Sequence, residues 1–411
     1  MPVISIFTGT FCNKNPIIQA IHKGTGTKLV ADKDIVAEAS GLSGISETKI
    51  ERAFSAKTSV FNKFTHERER SIAYLRFVLA QMLSNDNLVI FGSTSHLIPR
   101  EVQHALRVCI IADMKSRISL AQKEQGLPEN EAIKLIHRQD EDCASWVYTL
   151  FDKKDPWDVS LYDIIIPSDK MTAEEAAALV KENLEKDVVK STKQSRNAVA
   201  DFLLSSRVEL ALLQEGHNVN VTVEDGKVTL KINKHVLLLG RLEDELESIA
   251  NKVPGVQSLE TRVGPGFHKA DIYRKYDFEM PSKILLVDDE REFVQTLSER
   301  LELRDIGSAV TYDGESALDL VKEDEPDVMI LDLKMPGIDG IEVLRRVKET
   351  QPGIEVIILT GHGSEADRET CMELGAFAYL QKPVDIKVLG DTIEKANGKI
   401  RAKKQYKDTK L

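Results

Sequence analysis

Four short apolar runs in the last third of this 411-residue chain each lead into polar residues, and that pattern leaves little choice of fold. KILLV (283–287) stops on Asp288, Asp289 and Glu290, and VMIL (328–331) stops on Asp332. VIIL (356–359) stops on Thr360, while FAYL (377–380) is soon followed by Lys382 and Pro383. Runs this short and apolar, separated by helical patterns, are buried strands of a parallel α/β sheet. Open sheets of that kind build their sites at the carboxyl ends of the strands, where these polar residues fall. Three carboxylates converging there repel one another unless a cation lies among them, and an oxygen-only donor set suits Mg²⁺. A carboxylate beside such a cation acts as a nucleophile towards phosphorus, giving an aspartyl phosphate. The metal, Lys382 and the Thr360 hydroxyl would neutralise the phosphoryl oxygens.

Composition narrows the field by exclusion. Sixty-six acidic against 55 basic residues give a formal charge of −11, which argues against a nucleic-acid partner. No apolar run reaches the length of about 18 residues that a membrane span needs. The opening MPVISIFTGTFCNK has no basic segment before its apolar stretch and does not read as a secretory signal. Cys12, Cys109, Cys143 and Cys371 lie far apart with no CxxC pair, so neither a disulfide framework nor a zinc site is expected. A cytoplasmic location is the expectation.

Shifts of pattern divide the chain into domains at 1–190, 205–266 and 282–400. In the first, VISIF (3–7), LVIFG (88–92) and ALRVCII (105–111) read as buried strands between helices. KSTKQSRN (190–197) is wholly polar and reads as a helical linker. In the second, Val219, Val221 and Val223 alternate with polar residues up to the tight turn Asp225–Gly226, and Val228, Leu230 and Ile232 alternate after it. A helix from Leu242 to Lys252 covers the apolar face, and His217 and His235 read as turn and surface residues. Gly264, Pro265 and Gly266 end that unit, and a polar linker runs to Pro281. The basic tail RAKKQYKDTKL reads as a frayed end, and His362 as a loop residue.

The motifs ILLVDDE, ILDLKMPGIDG, LTGHG and AYLQKPV, in that order, resemble the receiver domain of two-component response regulators. The resemblance implies a flavodoxin-like (βα)5 fold with Asp332 as phosphoacceptor. It implies Mg²⁺ held by Asp288, Asp289, Asp332 and the backbone carbonyl of Lys334. Thr360 and Lys382 would bind the phosphoryl group, Tyr379 would reorient with Thr360, and Pro383 would follow a cis peptide bond. A histidine kinase or phosphotransfer protein is the implied partner.

GLPENEAIKLIHRQDEDCASW (126–146) and WDVSLYDIIIPSDKMTAEEAA (157–177) resemble the cytidylate-kinase-like family, with a P-loop-kinase-like parallel sheet. Asp32, Arg117, Arg138 and Asp140 fall where that family has functional residues, and Lys14, Arg117 and Arg138 are the residues that would hold a nucleotide. The phosphate loop departs from the pattern. A cradle for phosphates needs glycines so that backbone N–H groups can approach, yet residues 8–16 keep only Gly9 and insert Phe11 and Pro16. Cys109 and Cys143 stand where cations are expected. Phosphoryl transfer depends on positive charge and positioning, so an inactive domain is the favoured expectation.

VNVTVEDGKVTLKI (219–232) and IANKVPGVQSLETRV (249–263) resemble a BON domain, a small α/β module of bacterial envelope proteins. The net negative charge disfavours anionic lipid and points that unit towards protein contact. The whole reads as a cytoplasmic response regulator that signals through its N-terminal domains or a docked protein, without DNA binding. A homodimer is left open. The rival reading is an enzyme, a nucleoside monophosphate kinase regulated by the receiver.

Overall fold

The computed structural model describes residues 3–408 except 86, 237, 265, 266, 268–282, 303, 305 and 362. The expected second linker, apart from Phe267, and His362 therefore lie outside the described residues. Contacts divide the chain into two units, the first from Met1–Thr58 and Glu67–Arg274, the second from Ser59–His66 and Lys275–Leu411.

The first unit holds strands β1 (Val3–Thr8), β2 (Lys28–Ala31), β3 (Leu88–Phe91), β4 (Ala105–Ile111) and β5 (Ile164–Pro167). They form one parallel sheet in the order β2-β3-β1-β4-β5. Around it lie α1 (Lys14–Thr25), α2 (Asp32–Ser43), α3 (Glu47–Glu51), α5 (Glu67–Leu83), α6 (Met114–Gln125), α7 (Glu129–Phe151) and α8 (Ala173–Leu184). The single turn α4 (Asn62–Thr65) belongs to the second unit. The β2 run KLVA was not foreseen, because only Val30 in it is buried and the strand sits at the sheet edge.

Residues 190–197 do more than link. Thr192 Oγ1 accepts from the Ser195 N–H and caps α9 (Lys193–Gln214). Ser195 is fully buried, and its hydroxyl meets both the His104 backbone N–H, at 3.1 Å, and the His104 ring. Further along, Val199 and Phe202 join the core of the parallel sheet, while Leu204, Val208 and Leu212 join the next core. One amphipathic helix thus serves two cores. Polar composition hid this, since only its first turn is wholly polar.

That next core belongs to the small sheet β6-β7-β8, from Asn220–Glu224, Lys227–Ile232 and Ser258–Val263. β6 and β7 form the expected hairpin, with Asp225 and Gly226 both at positive φ, and β8 runs parallel to β7. Asp201 of α9 accepts both turn N–H groups, at 2.8 and 3.0 Å. Helix α10 (Leu239–Ala250) places Leu242, Leu246 and Ala250 on the sheet. His217 corrects an expectation: it is buried, not on the surface, with Nε2 3.4 Å from Glu245 Oε1. His235 is exposed as expected.

The second unit has strands β9 (Ile284–Val287), β10 (Ser308–Thr311), β11 (Val328–Leu331), β12 (Glu355–Thr360) and β13 (Ala378–Gln381). All pair parallel, in the order β10-β9-β11-β12-β13. Helices α11 (Arg291–Glu302) and α15 (Ile386–Asp408) cover one face, and α12 (Gly314–Glu323), α13 (Gly340–Thr350) and α14 (Glu365–Glu373) the other. Side chains alternate across the sheet. Leu285, Val287 and Met329 face α12–α14, while Ile284, Leu286 and Ile330 face α11 and α15. The tail expected to fray continues α15 to Asp408. Among the described residues no helix is long and apolar enough to cross a membrane.

Candidate functional site

In the second unit, the strand ends bring the foreseen residues together around one ammonium group. Lys382 Nζ lies 2.7 Å from Asp288 Oδ2, 3.0 Å from Glu290 Oε1 and 3.4 Å from Asp332 Oδ1. The same ammonium lies over Phe293, with Nζ 4.4 Å from the ring centre. Asp288 and Asp332 are both buried because they directly follow β9 and β11, two neighbouring interior strands of the five. Local turns fix their carboxylates: Asp332 Oδ2 accepts the Lys334 N–H at 2.8 Å, and Asp288 Oδ1 accepts the Glu290 N–H at 3.0 Å. The Lys382 N–H donates to the Thr360 carbonyl at 2.9 Å, and the Lys382–Pro383 peptide bond is cis, as the resemblance implies.

Burial pushes the Asp288 carboxyl up from its usual range, against the opposing pull of its hydrogen bond to Lys382. For Lys382 burial works to lower the pKa, but its bonds to Asp288 and Glu290 outweigh it and the net direction is up. In both groups the pairing works against burial; it prevails for Lys382, and burial prevails for Asp288. Asp288 and Asp332 offer oxygen donors of the kind a hard divalent cation takes. Asp289 is half-buried beside them, and among the described residues no cluster of three or more acid, histidine or cysteine side chains is assembled that could hold a metal.

Thr360 closes β12 and is fully buried. Tyr379 on β13 is half-buried, with its hydroxyl set against Gly363: a Cβ at that glycine would fall 1.7 Å from Tyr379 Oη and 3.1 Å from Thr360 Cγ2. Glu290 and Phe293, which hold Lys382 in place, were not singled out from sequence, although the DDE run contains the first of them.

In the first unit the candidate nucleotide residues are scattered or engaged. Lys14 and Arg138 are exposed. Arg117 is buried against Asp140 and the Thr10 carbonyl. Asp32 accepts from the Ser93 and Thr94 N–H groups and the Thr94 hydroxyl, so it braces the turn after β3. In the loop after β1, Phe11 and Asn13 sit at positive φ, where a phosphate loop would use glycine. Cys12 Sγ and Trp157 fill the space beside Gly9. Cys109 and Cys143 pack with Phe7, Phe151 and Tyr162, and burial pushes both thiols up to about 12. A cleft of about 570 Å³ remains at the strand ends, lined by Phe11, Asn13, Lys115, Ser116, Lys123 and Asp169. Lys115 and Lys123 carried no motif to mark them.

An open parallel sheet with acids and a lysine at its carboxyl edge is the build of a receiver. Residues 284–394 match the response regulator receiver domain family, and residues 3–170 match the cytidylate kinase-like family. The transcriptional regulatory protein CpxR of Escherichia coli K12 is 47% identical over 102 residues, covering 25% of this chain and 43% of CpxR. Sporulation initiation phosphotransferase F of Bacillus subtilis 168 is 38% identical over 116 residues, covering 28% of this chain and 94% of that protein. A solved receiver domain protein from Clostridium thermocellum is 35% identical, covers 29% of this chain and 97% of its own, and has a TM-score of 0.28. The chain belongs to the response regulator family through its receiver domain, and spans less than half the length of the CpxR relatives that it matches.

Proposed function

We propose that this protein is a response regulator phosphorylated on Asp332 by a histidine kinase or phosphotransfer protein. The observation that carries the reading is the ammonium of Lys382 held between the carboxylates of Asp288 and Asp332. The Asp332 carboxylate attacks phosphorus, the bond from phosphorus to the donor's imidazole nitrogen breaks, and that nitrogen keeps the electron pair. Lys382 and the Thr360 hydroxyl then bind phosphoryl oxygens. Mg²⁺, when held by Asp288, Asp289, Asp332 and the Lys334 carbonyl, supplies further positive charge to those oxygens. Tyr379 follows Thr360 inward. Acetyl phosphate with Mg²⁺ should give a hydroxylamine-labile adduct, and equal uptake by Asp332→Asn would overturn the assignment.

The output runs through the N-terminal unit or a docked protein, not DNA; the net charge of −11 supports this. We read the sheet β6-β7-β8 with α10 as a BON-like protein-contact module and the protein as cytoplasmic. The kinase-like part is inactive in this reading, which the engagement of Arg117 supports. The cleft beside Lys115 and Lys123 favours a second reading, a receiver-regulated nucleoside monophosphate kinase. Turnover of ATP with CMP by the purified protein separates the two.

A further inference from the structure

The end of the receiver unit opposite Asp332 is already occupied. Lys283 and Asp324, both buried, pair there at 3.0 Å, at the start of β9 and the end of α12. The second carboxylate oxygen of Asp324 accepts the Ser59 hydroxyl at 2.6 Å and the Val60 N–H at 3.1 Å. Phe61 follows, fully buried in the core formed with Leu285, Ala317, Val321 and Met329. Its own N–H donates to Ser59 Oγ at 3.1 Å, which braces the turn, and Lys283 Nζ lies 5.7 Å from its ring centre. Phe64 on α4 lies so close to Gly307 that a Cβ there would fall 2.2 Å from its ring. Glu67, the first residue of α5 in the first unit, follows His66 directly.

We propose that the strand-start end of the receiver is a binding surface whose occupant is the segment Ser59–His66 of this same chain, and that this segment carries the receiver's state into α5. Three features fit that occupant: a buried carboxylate with an oxygen turned to a hydroxyl and an N–H, an apolar hole for one aromatic ring, and a glycine that leaves room for a second. A segment sharing the core of the unit that binds phosphate moves with that unit, and no spare residue separates it from α5 to absorb the motion. The signalling half of the proposal rests on the phosphorylation reading above; the seating of the segment does not.

Hydrogen exchange on the full chain, with and without beryllofluoride and Mg²⁺, tests both halves. Phe61→Ala should speed exchange in β9 and the last turn of α12 by about tenfold or more. Gly307→Ala perturbs the same contact from the receiver side and should speed exchange within 59–66, so a poorly folding Phe61→Ala does not decide the matter. Beryllofluoride should change exchange in the first turn of α5 in the wild type and lose that effect in either variant. Exchange across 59–66 in the wild type as fast as in an unfolded chain would overturn the seating. An α5 response that survives both variants would overturn the route. Failure of the wild type to take up phosphate at Asp332 would instead sink the phosphorylation reading and the route with it, leaving the seating to be judged by the exchange data.

Discussion

Arg117 donates two hydrogen bonds to Asp140, at 2.9 and 2.6 Å, and a third from Nε to the Thr10 carbonyl at 2.8 Å. A buried guanidinium spent on a carboxylate and a loop carbonyl is a structural brace, not a spare cation for a phosphate. ATP should therefore bind with a dissociation constant of roughly 1 mM or weaker, about 4 kcal/mol of binding free energy. Calorimetry with micromolar affinity would revive the kinase reading. Asp140→Ala leaves Arg117 without its carboxylate and should cost the first unit about 2–4 kcal/mol in denaturant unfolding.

Lys382→Met removes the cation shared by Asp288, Glu290 and Asp332. Phosphate uptake from acetyl phosphate should fall about 100-fold, the usual scale for losing one stabilising donor at a developing charge. Burial of Asp288 would then be opposed by the Glu290 N–H without the help of Lys382, so the residual uptake should also shift to higher pH. Uptake within threefold or so of wild type would show that the lysine is not needed.

Gly363→Ala asks whether Tyr379 must move. The added methyl would meet the Tyr379 hydroxyl, which among the described residues has no hydrogen-bond partner, and would crowd Thr360. Asp332 should still take up phosphate, while beryllofluoride should no longer alter the near-ultraviolet spectrum or the exchange of β13. A full response in the variant would separate Tyr379 from the switch.

His96 sets an acid limit for the first unit. It is half-buried against Phe7 and Phe151 with Nε2 3.0 Å from the Tyr162 hydroxyl, and loss of solvent around the ring lowers its pKa from 6.5 to about 3. The unfolded chain therefore binds a proton that the folded chain refuses between those values. The stability contributed by the neutral ring is complete above pH 6.5 and is lost as pH falls towards about 3. Near pH 4.5 the loss should reach about 2–3 kcal/mol, at about 1.4 kcal/mol per pH unit. Melting curves for wild type and His96→Phe should converge with acid, the variant showing the flatter slope.

Strand period, punctuation and charge by themselves determined the receiver sheet and its edge. Asp288, Asp332, Thr360 and Lys382 meet because each directly follows or nearly follows a short apolar run, and parallel strands put all such ends on one side. β10 was less legible, since its run SAVT holds two half-buried side chains and no long apolar stretch. Tertiary structure alone decided which charged groups are engaged. Arg117 and Asp140 sit on different helices, and nothing in their spacing says that they grip each other rather than a ligand. The polar start of α9 hides a helix shared by two cores, and His217 is buried although its neighbours in sequence are turn residues. Phe61 lies far from the receiver in sequence, yet it completes a core whose other members begin at Leu285. Local pattern reports which face of an element is apolar. The partner that covers that face is chosen by burial and hydrogen-bond satisfaction over the whole folded chain, and that choice leaves no periodic trace in the sequence.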